Sequence, residues 1–297
     1  MNDFEGIDLA AHLNAECHCI SLDAVRLHTE LERVSPGFHA EVMEGRPHLF
    51  ADVTVFVSAT HARQMAELVS AIDAVVELPP YRQHVLSYAP ELARHPTAMR
   101  GAFLGYDFHL SDEAPQLIEI NTNAGGGLLN ALVARAHRIC CDQVHTATTG
   151  RTVETIDTES LFLDMFENEW RLFQEAKQAP PRRLRTVAIV DELPETQFLY
   201  PEFILFRRLF EHAGIRAIVC APHELNFHEG ALWHNDCEQA IDLVYNRLTD
   251  FALEGLELSP LRNAWLADAA AITPHPYAHA LYADKRNLVA LTDDALL

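Results

Sequence analysis

Asp107, Glu119 and Asn121 are the residues of this chain whose types and spacing point most directly to chemistry. Apolar and polar residues alternate on both sides of a turn cluster centred on Glu113, which is the pattern of a β-hairpin. That turn places Asp107 directly across from Glu119, and Gly105 across from Asn121. Two carboxylates and an amide therefore share one face of the predicted hairpin.

Opposed carboxylates on adjacent strands require a counter-charge. Side chains directly across an antiparallel pair lie about 4.5–5.5 Å apart at Cβ, and like charges there destabilise the sheet. Carboxylate and amide oxygens suit a hard cation such as Mg²⁺, which binds one or two carboxylates together with substrate phosphates. The pattern therefore predicts that this face binds a metal ion that also contacts a phosphate group. The alternative is a solvated face whose carboxylates point to water. The opposite face is predicted to be core and carries Leu104, Tyr106, Phe108, Ile118 and Ile120.

A glycine loop, TNAGGG, follows the hairpin directly and ends in Gly125, Gly126 and Gly127. Apolar residues then recur at helical spacing over 128–139, so the loop is predicted to open a helix. Exposed N–H groups at such a helix start favour an anion, which makes the loop a candidate for binding phosphate or carboxylate. A glycine-rich connection without a ligand is the alternative.

Two domains are predicted, joined at the proline-containing segment 179–183. Residues 1–178 form the hairpin domain, with a short strand at 53–57 and helices around it. Residues 179–297 alternate between strand and helix patterns, which favours a parallel sheet covered by helices. The predicted elements of this sheet are strands at 186–190, 215–220, 241–246 and 270–273 and a helix at 201–212. The predicted fold class is α/β (α+β): a β-hairpin with helices, plus a small parallel-sheet domain.

Arg247 is the candidate for binding a substrate acid. It follows the predicted strand 241–246, and the ligands of parallel α/β sheets gather beyond the carboxyl ends of the strands. A planar guanidinium makes bidentate contacts with a carboxylate or a phosphate. The alternative is an ion pair with Asp250 or with a neighbouring helix.

Composition limits the partners. The chain has 297 residues, and 49% of them are hydrophobic, which is enough for two folded domains with cores. Its 22 Lys and Arg residues stand against 43 Asp and Glu residues, and the formal charge of −21 disfavours nucleic acid and anionic membranes. The start is acidic, and no apolar run has membrane-spanning length, so a cytoplasmic location is expected.

The hairpin residues and two later strings resemble those of a known family. The spacing D-x(11)-E-x-N, the string YNRLTDF and the segment PHPYAHALYADKRNLVAL look like those of circularly permuted ATP-grasp proteins. That family includes the synthetase part of glutathionylspermidine synthase and a bacterial branch that this chain resembles most. The resemblance spans most of residues 50–297.

The resemblance implies Mg²⁺ and ATP as cofactors. In the family the Asp, Glu and Asn hold the Mg²⁺ that bridges the ATP phosphates, which corresponds here to Asp107, Glu119 and Asn121, and the lysine corresponding to Lys285 helps to bind nucleotide. The implied activity is ATP-dependent ligation, in which a carboxylate is activated as an acyl phosphate and then joined to an amine. In that scheme Arg247 orients the acid, and the loop Gly125, Gly126 and Gly127 lies near the phosphates or the acyl group.

Two departures from the family bear on activity. Gly105 stands where glutathionylspermidine synthase has an arginine, which is expected to leave room but remove a cation. The chain has no Lys-Pro dipeptide and stops where the family continues into the lobe that covers the nucleotide. It is therefore expected to be a truncated copy, incomplete or inactive alone, and the alternative is that a separate chain supplies the missing lobe. Two other functions stay open: a non-catalytic metal-binding, nucleotide-binding or interaction module, and a metal-dependent phosphohydrolase.

Overall fold

The computed structural model describes residues 9–16, 22–111, 114–136, 157–236 and 238–293. It is a mixed α/β structure, which confirms the predicted fold class. In chain order the strands are β1 (Gly105–His109), β2 (Gln116–Asn121), β3 (Thr186–Val190), β4 (Arg216–Cys220), β5 (Leu225–His228), β6 (Ala231–His234), β7 (Leu243–Asn246) and β8 (Ala271–Thr273).

Helices make up most of the remaining described structure. In chain order they are α1 (Leu9–Glu16), α2 (Ala24–Val34), α3 (Phe38–Met43), α4 (Ala59–Val76), α5 (Pro79–Tyr88), α6 (Gly127–Ala136), α7 (Thr158–Ala176), α8 (Tyr200–His212), α9 (Ser259–Leu266), α10 (Pro276–Ala278) and α11 (Asn287–Ala290). Short 3₁₀ turns occupy Glu91–Arg94, Pro194–Thr196, Pro222–Glu224 and Leu256–Leu258, and a π-helical turn occupies His279–Ala283. Within the described ranges, no helix is both long enough and apolar enough to cross a membrane.

The chain divides into two compact units. The first falls within Met1–Glu67, Leu110–Pro115 and Gly126–Thr158, and the second within Leu68–His109, Gln116–Gly125 and Glu159–Leu297. Both hairpin strands and the whole parallel sheet belong to the second unit. The predicted domain boundary at 178/179 stays a prediction.

The hairpin has the predicted register at its carboxylates. Asp107 lies across from Glu119, and β1 and β2 also pair Gly105 with Asn121. Beyond Asp107 the register shifts, so Phe108 pairs with Leu117 rather than Ile118. The predicted turn centre, Glu113, lies outside the described residues.

The register shift corrects one predicted core residue. Ile118 is 53% exposed, whereas Leu117 packs against the core. A β-bulge sets two residues of one strand against one residue of the other, which reverses the alternation of faces beyond it. The prediction of Ile118 as a core residue was therefore wrong.

Ile120 anchors β2 to the hydrophobic core of the second unit. It is buried with Tyr81, Leu281 and other apolar side chains of α4, α5 and the π-helical turn. The Tyr81 hydroxyl also donates to the Leu281 carbonyl at 3.0 Å. The apolar face of the hairpin is thereby fixed, and the opposite face is left to carry polar groups.

The parallel sheet has the strand order β4-β3-β7-β8. All five residues of β3 are buried, as expected for a strand covered on both faces. Each predicted strand of this sheet is present, with ends that differ by at most two residues. The helix predicted at 201–212 is α8, which lies between β3 and β4 in the chain.

The strand predicted at 53–57 was wrong, because the described residues there form neither strand nor helix. The side-chain amide of Asn14 takes the place of a strand partner: it donates to the Phe56 carbonyl and accepts from the Phe56 N–H, both at 2.8 Å. A run of β-branched residues favours a strand, but it cannot form one without a neighbour to pair with.

The helix break predicted at 179–183 is confirmed, since α7 ends at Ala176. The segment is nevertheless held in place. Arg182 donates from both terminal nitrogens to the buried carboxylate of Asp242, each at 2.8 Å, and its guanidinium lies over the ring of Trp170.

Candidate functional site

The polar face of the hairpin brings its three predicted ligands together. Because side chains alternate along a strand, Asp107 on β1 and Glu119 and Asn121 on β2 share one face. The Asn121 Nδ2 lies 3.3 Å from Glu119 Oε1 and 3.5 Å from Asp107 Oδ2. The amide thus bridges the two carboxylates.

Lys285 joins this face from a distant part of the sequence. Its Nζ lies 3.0 Å from Glu119 Oε2, and its side chain is 79% exposed. The neighbouring charges, Asp284 and Arg286, pair with each other. The predicted nucleotide-binding lysine therefore serves here as the counter-charge that the opposed carboxylates require.

The pKa of Glu119 is lowered by this arrangement. The hydrogen bond from Lys285 contributes most, followed by the hydrogen bond from Asn121. Glu119 is consequently ionised at neutral pH and able to bind a cation. We call the cluster of Asp107, Glu119, Asn121 and Lys285 the hairpin face.

The donor set of the hairpin face fits Mg²⁺. It offers two carboxylates and one amide, and Mg²⁺ completes its octahedron with water and substrate phosphates. The amide of Asn121 presents nitrogen to the carboxylates here, and a flip of the side chain would present its oxygen. Among the described residues no group of three or more His, Cys, Asp and Glu could hold a metal ion, so the amide oxygen is needed to complete a three-ligand set.

Gly105 does not leave the room that its lack of a side chain suggested. A Cβ at this position would lie 2.8 Å from the Cβ of Ala124. Ala124 is held there because its N–H donates to the Phe103 carbonyl at 3.1 Å. The expectation of extra space was therefore wrong: the glycine loop fills the place where a side chain at 105 would start.

Arg247 lies at the carboxyl end of β7 but is largely engaged. It is 7% exposed, and its Nη1 donates to the carbonyls of Asn123 at 2.7 Å and Ala124 at 2.9 Å. The alternative ion pair with Asp250 is not formed among the described residues, since the Asp250 carboxylate accepts the N–H groups of Ala252, Glu254 and Gly255. Arg247 therefore fixes the start of the glycine loop.

The remaining nitrogens of Arg247 keep a capacity to bind. Its Nε is buried and has no hydrogen-bond partner in the described part of the chain. Its Nη2 faces Gly125, where a Cβ would lie 2.7 Å from Nη2 and 2.5 Å from Leu199 Cδ1. Position 125 therefore requires glycine.

The other two predicted loop residues fall in the first unit. Gly126 has a φ of +90°, which favours glycine, and Gly127 is the first residue of α6. The helix predicted after the loop is present to Ala136, and its predicted continuation lies outside the described residues.

Asp191, at the end of β3, is another ionisable group near Arg247. Burial raises its pKa to about 6, against the opposing effects of the Glu192 N–H and the Arg247 charge. The side chain of Asn246, at the end of β7, bonds to the Pro274 carbonyl and the Leu248 N–H. We call Asp191, Asn246 and Arg247 the sheet edge.

Sequence reasoning did not single out Glu169, a buried carboxylate of α7. It is 2% exposed, and burial raises its pKa. It occupies the same helix face as Phe166, Trp170 and Phe173, all of them buried. The sequence did contain a signal for this buried carboxylate, because an acidic residue stands within a stripe of apolar residues at helical spacing.

Comparison with known proteins supports the fold. No protein-family model and no curated protein matches the chain. A solved structure of a glutathione synthetase-like effector from Globodera pallida, in its apo form, matches with a TM-score of 0.51 and 15% identity. The match covers 92% of this chain and 66% of that one, so the chain spans just under two thirds of the length of the matched structure. At this identity the likeness shows a shared fold alone.

Proposed function

We propose that the chain is an ATP-dependent ligase of the ATP-grasp type, which joins a carboxylate to an amine through an acyl phosphate. The observation that carries the proposal is the hairpin face, where Asp107, Glu119 and Asn121 converge with Lys285 from a segment far along the chain. The shared fold with a glutathione synthetase-like protein supports it. The substrates are proposed to be small molecules, since the charge of −21 opposes nucleic acid and anionic membranes. A cytoplasmic location is part of the same proposal.

Asp107, Glu119 and Asn121 would hold Mg²⁺ together with the ATP phosphates. Bound there, the ion would neutralise charge on the phosphate oxygens, which is the main requirement of phosphoryl transfer. Lys285 reaches Glu119 along an exposed and flexible side chain. With a cation on the carboxylates, the Lys285 ammonium would be free to bind a phosphate oxygen instead.

Arg247 would orient the acid substrate. Its Nη1 is engaged by the loop carbonyls, so the proposal assigns the acid to Nε and Nη2. A carboxylate bound there would supply the acceptor that the buried Nε lacks. The same contacts fix the glycine loop beside the start of β1.

Calorimetry tests the hairpin face. Wild type is expected to bind Mg-ATP, and Asp107→Asn is expected to bind it at least tenfold more weakly, because one charged ligand is lost. Asp164→Asn is the matched control, since Asp164 is an exposed aspartate of the same unit, on α7. Equal Mg-ATP affinity in the two variants would contradict the proposal. Binding of Mg²⁺ without nucleotide would favour the phosphohydrolase alternative.

A non-catalytic nucleotide-binding module is the second candidate. The observation in its favour is that Arg247 already donates to two backbone carbonyls, which leaves it fewer donors for a substrate. Measurement of ADP release with a panel of carboxylates and amines separates the two functions. The ligase releases ADP only when both substrates are present, whereas the module binds Mg-ATP and releases none.

A further inference from the structure

A cavity of about 210 Å³ lies in the second unit, between α5, the loop 97–100 and the segment 275–282. The surface that a ligand can reach there is mainly polar, although the buried side chains of Val76 and Leu281 also lie in the wall. We call its three charged residues, Glu77, Arg82 and Arg100, the rim. Its volume is far larger than a single water needs, so a small molecule fits.

The rim carries more positive than negative charge. Glu77 is shared by two arginines: Arg82 Nη2 lies 2.5 Å from one of its oxygens and Arg100 Nη1 lies 3.4 Å from the other. Arg82 also donates from Nε to the Val76 carbonyl at 2.8 Å. Most N–H groups of the two guanidinium groups have no protein acceptor in the described part of the chain. In a protein of formal charge −21, a local excess of guanidinium is unusual.

Two further carboxylates lie near the rim, Asp73 and Glu169, and both accept hydrogen bonds from other groups. Asp73 accepts the hydroxyl of Tyr282 at 2.8 Å, so it is engaged behind a residue of the cavity wall. The histidine of the wall, His275, is neutral, since burial lowers its pKa to about 4. The cavity-lining residues therefore carry one net positive charge, from Arg82 and Arg100 against Glu77.

The loop that carries Arg100 is held by the buried carboxylate of Glu169. Glu169 accepts the N–H of Arg100 at 2.9 Å, the N–H of Gly101 at 3.0 Å and the hydroxyl of Thr273 at 2.9 Å. The Thr273 hydroxyl oxygen accepts in turn from the Ala102 N–H at 2.8 Å. Burying a carboxylate is costly, and these hydrogen bonds offset the cost. Their result is a fixed loop.

Two further contacts fix the same loop. The Nδ1 of His275 accepts the Ala278 N–H at 3.0 Å, so its Nε2, which lies 3.2 Å from the Met99 carbonyl, is the donor. Gly101 has a φ of +97°, and a Cβ there would lie 3.0 Å from the Cβ of Ala278. The backbone of the loop is thereby held in place, whereas the Arg100 side chain that extends from it is 65% exposed.

We propose that this cavity is a binding site for a small organic anion, held through its carboxylate or phosphate by Arg82 and Arg100. Guanidinium groups bind both anions through paired hydrogen bonds, and the volume of the cavity leaves room for an organic part beside them. The site uses none of the residues of the hairpin face or the sheet edge. It therefore stands or falls independently of the proposed ligase activity.

Calorimetry in metal-free buffer tests this site, with inorganic phosphate, phenyl phosphate and benzoate as ligands. Wild type is expected to bind at least one of the two organic anions, more tightly than inorganic phosphate. Arg100→Gln should weaken that binding about tenfold or more, since a charge-assisted contact is lost. Arg171→Gln is the control: it removes the same charge from an exposed ion pair with Glu175 on α7 and should leave binding unchanged.

The location is checked by NMR titration of the same ligands. Shifts are expected at the backbone amides of 97–101 in wild type, and these should be lost in Arg100→Gln. The carboxylate and phosphate ligands distinguish the two anion classes. The proposal is overturned if wild type binds neither organic anion at millimolar concentration, or if Arg100→Gln and Arg171→Gln bind equally.

Discussion

The hairpin face has two carboxylates, an amide and one cation, and the sheet edge has one carboxylate, an amide and one cation. The two cations differ in their exposure to solvent. On the hairpin face the cation is Lys285, 79% exposed and bound to a single carboxylate. At the sheet edge the cation is Arg247, 7% exposed and bound to two backbone carbonyls. A metal ion can displace an exposed cation that has a single partner. A buried cation with several partners mainly stabilises the fold. The comparison predicts different consequences when each cation is removed.

Replacing Arg247 should have the largest effect on stability. Arg247→Met is expected to lower the free energy of unfolding by about 3 kcal/mol, because two partly buried carbonyls lose a charged donor that is itself buried. Urea denaturation measures this, with Arg183→Met as the control. Arg183 is exposed, so its loss should change stability by less than about 0.5 kcal/mol. Equal midpoints for the two variants would mean that Arg247 has no structural role.

Asp191 should give the sheet edge a distinct pH dependence. Its pKa is raised to about 6, so the folded state holds the proton more strongly than the unfolded state does. The stabilisation is complete below about pH 4 and is lost as the pH rises through about 6. Asp191→Asn removes this dependence and should be more stable than wild type at pH 7 to 8, by about 1 kcal/mol after solvent screening.

Urea midpoints for wild type and Asp191→Asn between pH 4 and pH 8 check this prediction. The difference between the two proteins should grow in favour of the variant from about pH 4 to about pH 6 and then stay constant. A difference that does not change with pH would show that Asp191 titrates as an ordinary exposed carboxyl.

Removing the cation of the hairpin face should hardly change stability. Lys285→Met breaks one exposed ion pair, and such pairs contribute little to stability. The pKa of Glu119 should rise, because the hydrogen bond from Lys285 is the main cause of its lowering. A ¹³C NMR titration of the carboxyl measures this shift.

Lys177→Met is the matched control for Lys285, since Lys177 is the other lysine of the chain and bonds to the Asp268 carbonyl. Mg-ATP binding should weaken in Lys285→Met and stay unchanged in Lys177→Met. Binding of Mg²⁺ alone should not weaken in either variant. If Lys285→Met bound Mg-ATP as well as wild type does, Lys285 would be a counter-ion only.

The sequence allowed the hairpin face to be predicted because its geometry is local. Alternation along two strands joined by a short turn is enough to pair Asp107 with Glu119. The bulge that follows depends on the packing of Leu117 against the core, which alternation does not encode. Buried runs such as 186–190 likewise predicted the parallel strands, since a strand covered on both faces is apolar throughout.

Long-range partners could not be predicted. The carbonyls that bind Arg247 are more than 120 residues away in the chain, and peptide carbonyls are the same at every position. The strand prediction at 53–57 failed for the same reason, because propensity does not supply a pairing partner. Glu169 holds the loop at 97–101 through hydrogen bonds to the N–H groups of Arg100 and Gly101. The only sign of this role in the sequence is the position of an acidic residue within the apolar stripe of a helix.

The central claim is that the hairpin face, and not the sheet edge, binds the cation that accompanies ATP. The most direct test replaces Mg²⁺ by paramagnetic Mn²⁺ and follows the broadening of backbone amide NMR signals. In the presence of ATP, broadening should be strongest at 105–109 and 116–121, much weaker at 186–190 and 243–246, and abolished by Asp107→Asn. Broadening centred on Asp191 and Asn246, or broadening of the hairpin that survives Asp107→Asn, would contradict the account.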